Sequence, residues 1–262
     1  MRTSYHAHTL WSDGSASVAE MLAAARDEGL DELGISDHLV VAPGEKPGWG
    51  MSPDQLPAYV AEVRAAACTR CPVLRLGVEA DFFPETIEDL RRVLASHPFE
   101  YVIGSVHFLG PFPIDRARED WQALAVPQRR AAWAAYWERI RQLAASGVAD
   151  IVGHLDLPKR FGFFMDEDLL PLTRTALDEI ARAGLAIELN TAGWHMPAAE
   201  AYPAPGLLRD ACRRGIPVVV TADAHQPDHV ARDLARGREL ARACGYRGTV
   251  RFERRRRIAV GW

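Results

Sequence analysis

One feature constrains this chain more than any other: seven short strand-type runs, each followed by a helical segment, with no low-complexity linker between them. The first run carries His6 and His8; the others are expected over 31–36, 73–80, 101–106, 151–154, 185–190 and 218–221. Helices are expected over 18–28, from the Ser52-Pro53-Asp54-Gln55 start signal onward, and over 86–94, 127–146, 166–183, 205–214 and 229–243, before a closing extended tail. Gly29, Gly184 and Gly215 each stand just past a helical segment, where a left-handed residue ends the helix cheaply. Trp133, Trp137 and Ile140 recur at helical spacing and read as a core-facing stripe. A helix after each strand returns the chain to the same end of the sheet, so the strands run parallel. Seven such units in 262 residues favour a closed barrel over an open, doubly wound sheet, although periodicity alone does not separate the two.

Composition narrows the function classes. The hydrophobic fraction of 48% supports a large core, and no run of about 18 apolar residues is present to span a membrane. The His6-Ala7-His8 strand starts too soon to leave room for a signal peptide, so a cytoplasmic protein is expected. A net charge of -4 argues against nucleic acid as a general partner. The run Arg254–Arg257 reads as a solvated strand edge or tail. Cys68 and Cys71 form a Cys-x-x-Cys pair, but Cys212 and Cys244 do not supply the second pair of a zinc ribbon. Reduced, structural thiols are the expectation.

Either parallel architecture gathers ligands at the carboxyl ends of its strands, which makes those ends the place to look for chemistry. His6 and His8 share one face of the first strand, and Asp13 follows in the turn Ser12-Asp13-Gly14. The later strands end in Asp37-His38, in Glu79 and Asp81, at His107, at His154, in Glu188 and Asn190, and in Asp223 and His225. With nine histidines in 262 residues, a three-residue window holds one by chance roughly one time in ten, yet five of the seven strand ends carry one. Six histidines and several carboxylates in one barrel mouth would be costly to desolvate without metal. The mixed imidazole and carboxylate donors are what a catalytic divalent metal takes.

Taken together, His6-Ala7-His8-Thr9 with Ser12-Asp13-Gly14, Ser36-Asp37-His38, Gly77-Val78-Glu79, Ser105-Val106-His107, Gly153-His154-Leu155-Asp156 and Asp223-Ala224-His225 resemble the successive motifs of the PHP (polymerase and histidinol phosphatase) superfamily. Within it, Tyr101–His107, Gly153–Lys159 and Leu189–Gly193 resemble the histidinol-phosphate phosphatase branch. The resemblance implies a single α/β domain over 1–262, a distorted (β/α)7 TIM-like barrel, binding two to three divalent metal ions (zinc, iron or manganese). It implies that His6, His8, Glu79 and Asp223 hold one metal, that Glu79 bridges to a second held by His107 and His154, and that Asp13, His38 and His225 hold a third. The activity implied is hydrolysis of a small phosphate ester, most specifically L-histidinol phosphate in histidine biosynthesis. Glu79, His225 and Asp156 are then the catalytic candidates, with Asp156, His225 or a metal-bound water assisting departure of the alcohol, a choice the sequence does not make.

A phosphate dianion also needs fixed cations or donors. Lys159 and Arg160, just past the fifth strand, are the expected ones, with Asn190 and His195 as further substrate contacts. In the branch, an arginine typically stands two residues past the glycine of Asn190-Thr191-Ala192-Gly193, where this chain has His195. Alternatives are a phosphodiesterase of the same superfamily, or a non-catalytic module with structural metals. A homo-oligomer is left open. The loops over 41–50 and 108–115 are expected to cover the substrate as lids.

Overall fold

Each of the seven expected strands pairs with both of its neighbours, and the pairing closes on itself. In a computed structural model that describes residues 1–44, 48–67 and 72–262, these are β1 (Thr3–Ser4), β2 (Glu32–Ile35, resuming at His38–Leu39), β3 (Val73–Leu76, resuming at Glu79–Asp81), β4 (Ile103–Ser105), β5 (Ile151–Val152), β6 (Ala186–Asn190) and β7 (Val218–Thr221). Cys68 and Cys71 and the middle of the 41–50 loop lie outside the described residues. Every barrel ladder is parallel, with Ser4 opposite Leu33, Ile35 opposite Leu76, Glu79 opposite Ile103, Ile103 opposite Ile151, Val152 opposite Ile187 and Leu189 opposite Val220. The ring closes where Ala7 bridges Ala224, with the His8 N–H donating to Ala224 O at 2.8 Å and the Ala224 N–H to His6 O at 3.1 Å. An open sheet is thereby excluded, and the fold is a distorted seven-stranded α/β barrel.

The strand expected over 31–36 is found at Glu32–Ile35 and resumes beyond it, whereas the break in β3 departs from the continuous strand expected over 73–80; a tyrosine pair accounts for both breaks. Tyr101 lies across the gap and donates to Tyr5 O at 2.7 Å, while the Tyr59 hydroxyl donates to Gly77 O at 2.8 Å. A Cβ on Gly77 would stand 2.1 Å from Cζ of Tyr101, so only glycine lets the ring pass. Past the break, His38 opens the resumed part of β2, at the strand end where the sequence placed it.

Helices Val18–Asp27, Leu56–Ala66, Ile87–Ala95, Val126–Ser146, Leu170–Ala183, Pro205–Arg213 and Leu234–Ala243 follow the strands in turn. Gly29, Gly184 and Gly215 take positive φ at or just past helix ends. Trp133, Trp137 and Ile140 are buried, as their spacing predicted. The last helix starts five residues later than expected, because Pro227–His229 form a 3-10 turn and Asp233 adopts a left-handed backbone before Leu234. The expected tail is instead a hairpin, Gly248–Glu253 with Arg256–Gly261, whose Val250 and Phe252 join Tyr5, Tyr101, Ile103, Ile151, Ala186 and Val219 in an apolar plug. Arg254 and Arg255 make its turn, and Arg255 pairs with Asp150 and donates to Val148 O at 3.0 Å, so the arginine run is partly docked rather than free.

Candidate metal centre

At the opposite end of the barrel from this plug, the first strand delivers His6 and His8, both fully buried. The chain then turns sharply. The carboxylate of Asp37 fixes that turn by accepting from the Thr9 N–H at 2.7 Å, the Thr9 hydroxyl at 2.8 Å and the Ser12 hydroxyl at 2.6 Å. Gly14 packs on the backbone of His8, where a Cβ would come within 2.5 Å of its carbonyl. The fold-back brings Asp13 to 3.6 Å from His8 Nδ1, 3.7 Å from His38 Nε2 and 3.3 Å from His225 Nε2.

Glu79 stands at the centre. Its Oε2 lies 3.0 Å from His6 Nε2, 3.0 Å from His38 Nδ1 and 3.5 Å from His8 Nε2, while its Oε1 lies 2.9 Å from His154 Nε2 and 3.7 Å from His107 Nε2. Asp223 Oδ1 adds contacts of 3.3 Å to His8 and 3.6 Å to His6. Burial alone would raise the pKa of Glu79, but His38, His6 and His154 hold it well below the usual range. Burial would likewise lower His6, yet Asp223, Glu188 and Glu79 hold it well above its ordinary value. His8 is pushed down to about 3 by burial and by the neighbouring His225 and His38.

A second layer of acids aims the imidazoles. Glu188 Oε1 faces His6 Nδ1 at 2.6 Å, and Asp81 pairs with His107 Nδ1, which leaves Nε2 of each ring facing Glu79. Glu188 also accepts from the His154 N–H at 2.6 Å and from Thr221. Glu188 and Asp81 stood among the strand-end carboxylates of the sequence without an assigned role. Nothing in a linear sequence separates a carboxylate that faces the open mouth from one that braces a ring behind it.

The donors fit a divalent metal on their own chemistry. All nine implied ligands come together, and donor atoms lie within 4.8 Å of one another in four groups: His8, Asp13, His38 and His225; His6, Glu79 and His154; His6, His8 and Asp223; and His38, Glu79 and His107. His38 thus touches both the Asp13 group and the Glu79 group. His8 Nε2 and His38 Nδ1 are buried without a hydrogen-bond partner, although carboxylate oxygens stand within 3.5 Å. Lone pairs that converge without bonding are what a shared cation would satisfy, since metal bonds of about 2.0–2.2 Å separate neighbouring ligands by roughly 3.3 Å.

The cluster opens into a cavity of about 630 Å³, bordered by Trp49, Phe108, Asp115, Arg116, Arg160, His229 and Arg232 as well as by several ligands. Both expected lid loops reach it through Trp49 and Phe108, whose rings stack 6.2 Å apart. Several expected substrate residues do not reach it. Lys159 is almost wholly buried and spends its ammonium on Asp156 at 3.0 Å, Glu200 at 3.2 Å and Ala201 O at 2.8 Å, so it is a structural cation here. Asp156 is correspondingly tied to Lys159 and to the Ala204 N–H at 2.9 Å, away from the cavity wall. Asn190 braces ligand-side acids, donating to Glu188 at 3.3 Å and Asp223 at 3.0 Å while accepting from the Ala192 N–H at 2.9 Å. His195 turns outward to Asp233 at 2.6 Å. Of the expected substrate contacts, Arg160 alone borders the cavity; Arg232 and His229 were not anticipated.

A closed seven-stranded barrel with nitrogen and carboxylate donors converging at its C-terminal mouth defines a metal-binding barrel of the hydrolase type. The PHP domain model matches residues 4–192, and the chain belongs to that family. A Deinococcus radiodurans protein called "Probable histidinol-phosphatase" is 40% identical over 96% of both chains. The Lactococcus lactis histidinol phosphate phosphatase, solved with zinc, L-histidinol and phosphate, superposes with a TM-score of 0.83 at 21% identity over 98% of each chain. The Bacillus subtilis DNA polymerase/3'-5' exonuclease PolX is 26% identical over 84% of this chain but only 33% of its own length. No described helix is long and apolar enough to cross a membrane.

Proposed function

We propose that this chain is a metal-dependent phosphomonoesterase that hydrolyses L-histidinol phosphate to L-histidinol and phosphate. The observation that carries the reading is 40% identity, over nearly the whole of both chains, to a relative bearing that name. The site's chemistry agrees. Uncatalysed phosphate-monoester hydrolysis is among the slowest reactions known, needing accelerations up to about 10²¹. His6, His8, Asp13, His38, Glu79, His107, His154, Asp223 and His225 would hold two to three divalent ions, zinc, iron or manganese. Bound there, such ions acidify water and offset charge on phosphoryl oxygens.

The chain's own residues do the rest. Glu79, with one oxygen toward His6 and His38 and the other toward His154, holds two donor groups at a fixed spacing. Glu188 and Asp81 keep His6 and His107 in one orientation, so no reorganisation is needed when charge develops. Arg160 borders the cavity and offers a guanidinium to the phosphoryl group. Of the two residues considered for proton transfer to the departing alcohol, Asp156 does not border the cavity; His225 does, but its Nε2 faces the Asp13 donor group and its Nδ1 lies 3.1 Å from Asp223 O, which fits a ligand better than a proton donor. The test offers purified protein, loaded with Mn²⁺ or Zn²⁺, L-histidinol phosphate, a generic phosphomonoester and a phosphodiester. The highest kcat/KM is expected on histidinol phosphate. Preferential cleavage of the diester would move the assignment to a phosphodiesterase, and release from none would leave the metals structural.

A further inference from the structure

We propose that Arg232 is a second phosphate-binding guanidinium of this site, held over the cavity by the pairing of His195 with Asp233. The proposal rests on the phosphatase reading above and names residues that reading does not use.

Three arginines border the cavity. Arg116 is engaged, its Nε donating to Asp120 at 3.0 Å. Arg160 and Arg232 differ: among the described residues neither lies in an ion pair, and Nε of each is buried with no hydrogen-bond partner. The hydrogen bond that the Arg232 side chain does make runs to His229 Nε2 at 3.1 Å. The same chain satisfies Arg75 with Glu32 and Glu100 at 2.8 Å each, and Arg214 with Asp178 at 2.7 Å. A half-buried guanidinium without a counter-ion costs desolvation energy that an anion arriving in the cavity would offset. Burial indeed holds Arg232 below its usual pKa, against the pull of Asp223 and Asp233.

The segment that carries Arg232 is tied to the turn after β6 by two contacts, one at its own carbonyl and one at the side chain of the next residue. Thr191 donates its hydroxyl to Arg232 O at 2.7 Å, and His195 Nε2 meets Asp233 Oδ2 at 2.6 Å. Asp233 sits in the left-handed region at φ 58, a conformation that costs an aspartate something and that the His195 contact helps to hold. His195 therefore serves as a positioning residue, fixing the neighbour of Arg232 instead of reaching toward phosphate itself. A phosphomonoester dianion offers three terminal oxygens. Arg160 from the loop after β5 and Arg232 from the loop after β7 offer planar, permanently charged donors to the oxygens that metals leave free.

The test compares metal-loaded wild type with Arg232→Gln, Arg232→Lys, His195→Ala and His195→Gln. Each is measured for bound metal, for KM and kcat on L-histidinol phosphate, and for the Kd of inorganic phosphate by calorimetric titration. Arg232→Gln is expected to keep its metal while KM and the phosphate Kd rise about ten- to a hundredfold, the range for losing a hydrogen bond to a charged group. Arg232→Lys should recover part of that loss. His195→Ala should shift KM and Kd in the same direction by less, with His195→Gln, which can still bond Asp233, recovering much of the effect. Phosphate affinity and KM within twofold of wild type in Arg232→Gln would overturn the proposal, as would a wild type that binds no phosphate. If wild type binds phosphate through Arg232 but hydrolyses no monoester, the phosphatase reading fails while this one stands.

Discussion

At the scale of residues, Glu79 concentrates the most consequence in one side chain, because five imidazoles lie within 3.7 Å of its two oxygens. Alanine there should abolish turnover and lower the bound metal measured by atomic absorption, since two donor groups lose their common member. Retention of full metal content and activity would contradict the cluster described here. Glu188→Gln is a finer probe: it keeps the shape but can present an amide N–H to His6 Nδ1, favouring the wrong tautomer. Outer-shell changes of this kind cost about 10- to 100-fold in metal affinity or activity, and metal titration of the variant should read that loss. The strand-end positions were legible in the sequence because strand ends of a parallel barrel all face one mouth, but telling the nine implied ligands from the braces Asp81 and Glu188 among them took the family resemblance. Lys159 was misread for a related reason, since sequence places it beside the mouth but does not say which way it points. Its neighbours Asp156, Glu200 and Ala201 O, which claim the ammonium, come together only in the folded chain.

At the scale of elements, the expected strands and helices correspond closely to those observed wherever a local signal exists. Gly29, Gly184 and Gly215 mark helix ends, and the Ser52–Gln55 start signal opens the turn that leads into Leu56–Ala66, the Ser52 N–H donating to Gln55 Oε1 at 2.9 Å. The misses have tertiary causes. β2 and β3 break where the ring of Tyr101, two residues before β4, crosses Gly34 and Gly77. The C-terminal hairpin has no glycine or asparagine at its turn; Arg254 and Arg255 adopt positive φ there, held by the Arg255 contacts to Asp150 and Val148. Without the usual residues for such a turn, its sequence reads as a tail. Phe252 anchors that hairpin, packing edge-on to Tyr5 at 6.3 Å in the plug beneath the barrel. Phe252→Ala should therefore cost about 3–5 kcal/mol of stability, the range for emptying a buried aromatic site. Because the plug lies at the barrel end opposite the donors, KM and metal content should stay unchanged in thermal-melt and steady-state measurements below the new Tm. A rise in KM without loss of stability would show that the plug shapes the site, contrary to the division of labour between the two faces.

For the whole molecule, the donor cluster makes metal part of the fold's energetics. Glu79, Glu188 and Asp223 share one mouth with six imidazoles, and the buried His8 Nε2 and His38 Nδ1 find no hydrogen-bond partner. In the metal-free protein this polarity is balanced by ion pairing within the cluster and by the donors that Asn190 and Thr221 supply, in keeping with the raised pKa of His6 and the lowered pKa of Glu79. An ion that binds the folded chain and not the unfolded one stabilises it by mass action, about 2.7 kcal/mol at a hundred times Kd. For a chain of this size that corresponds to a Tm increase of roughly 5–10 °C. Protein stripped with EDTA should melt lower by about that amount and recover on addition of Zn²⁺ or Mn²⁺, followed by calorimetry. Glu79→Ala should lose most of the metal-induced increase, because the ion's affinity falls with its central ligand. Phe252→Ala should melt lower yet keep the full increase. If instead both variants kept the increase undiminished, the stabilising ion would be bound elsewhere than in the mouth cluster.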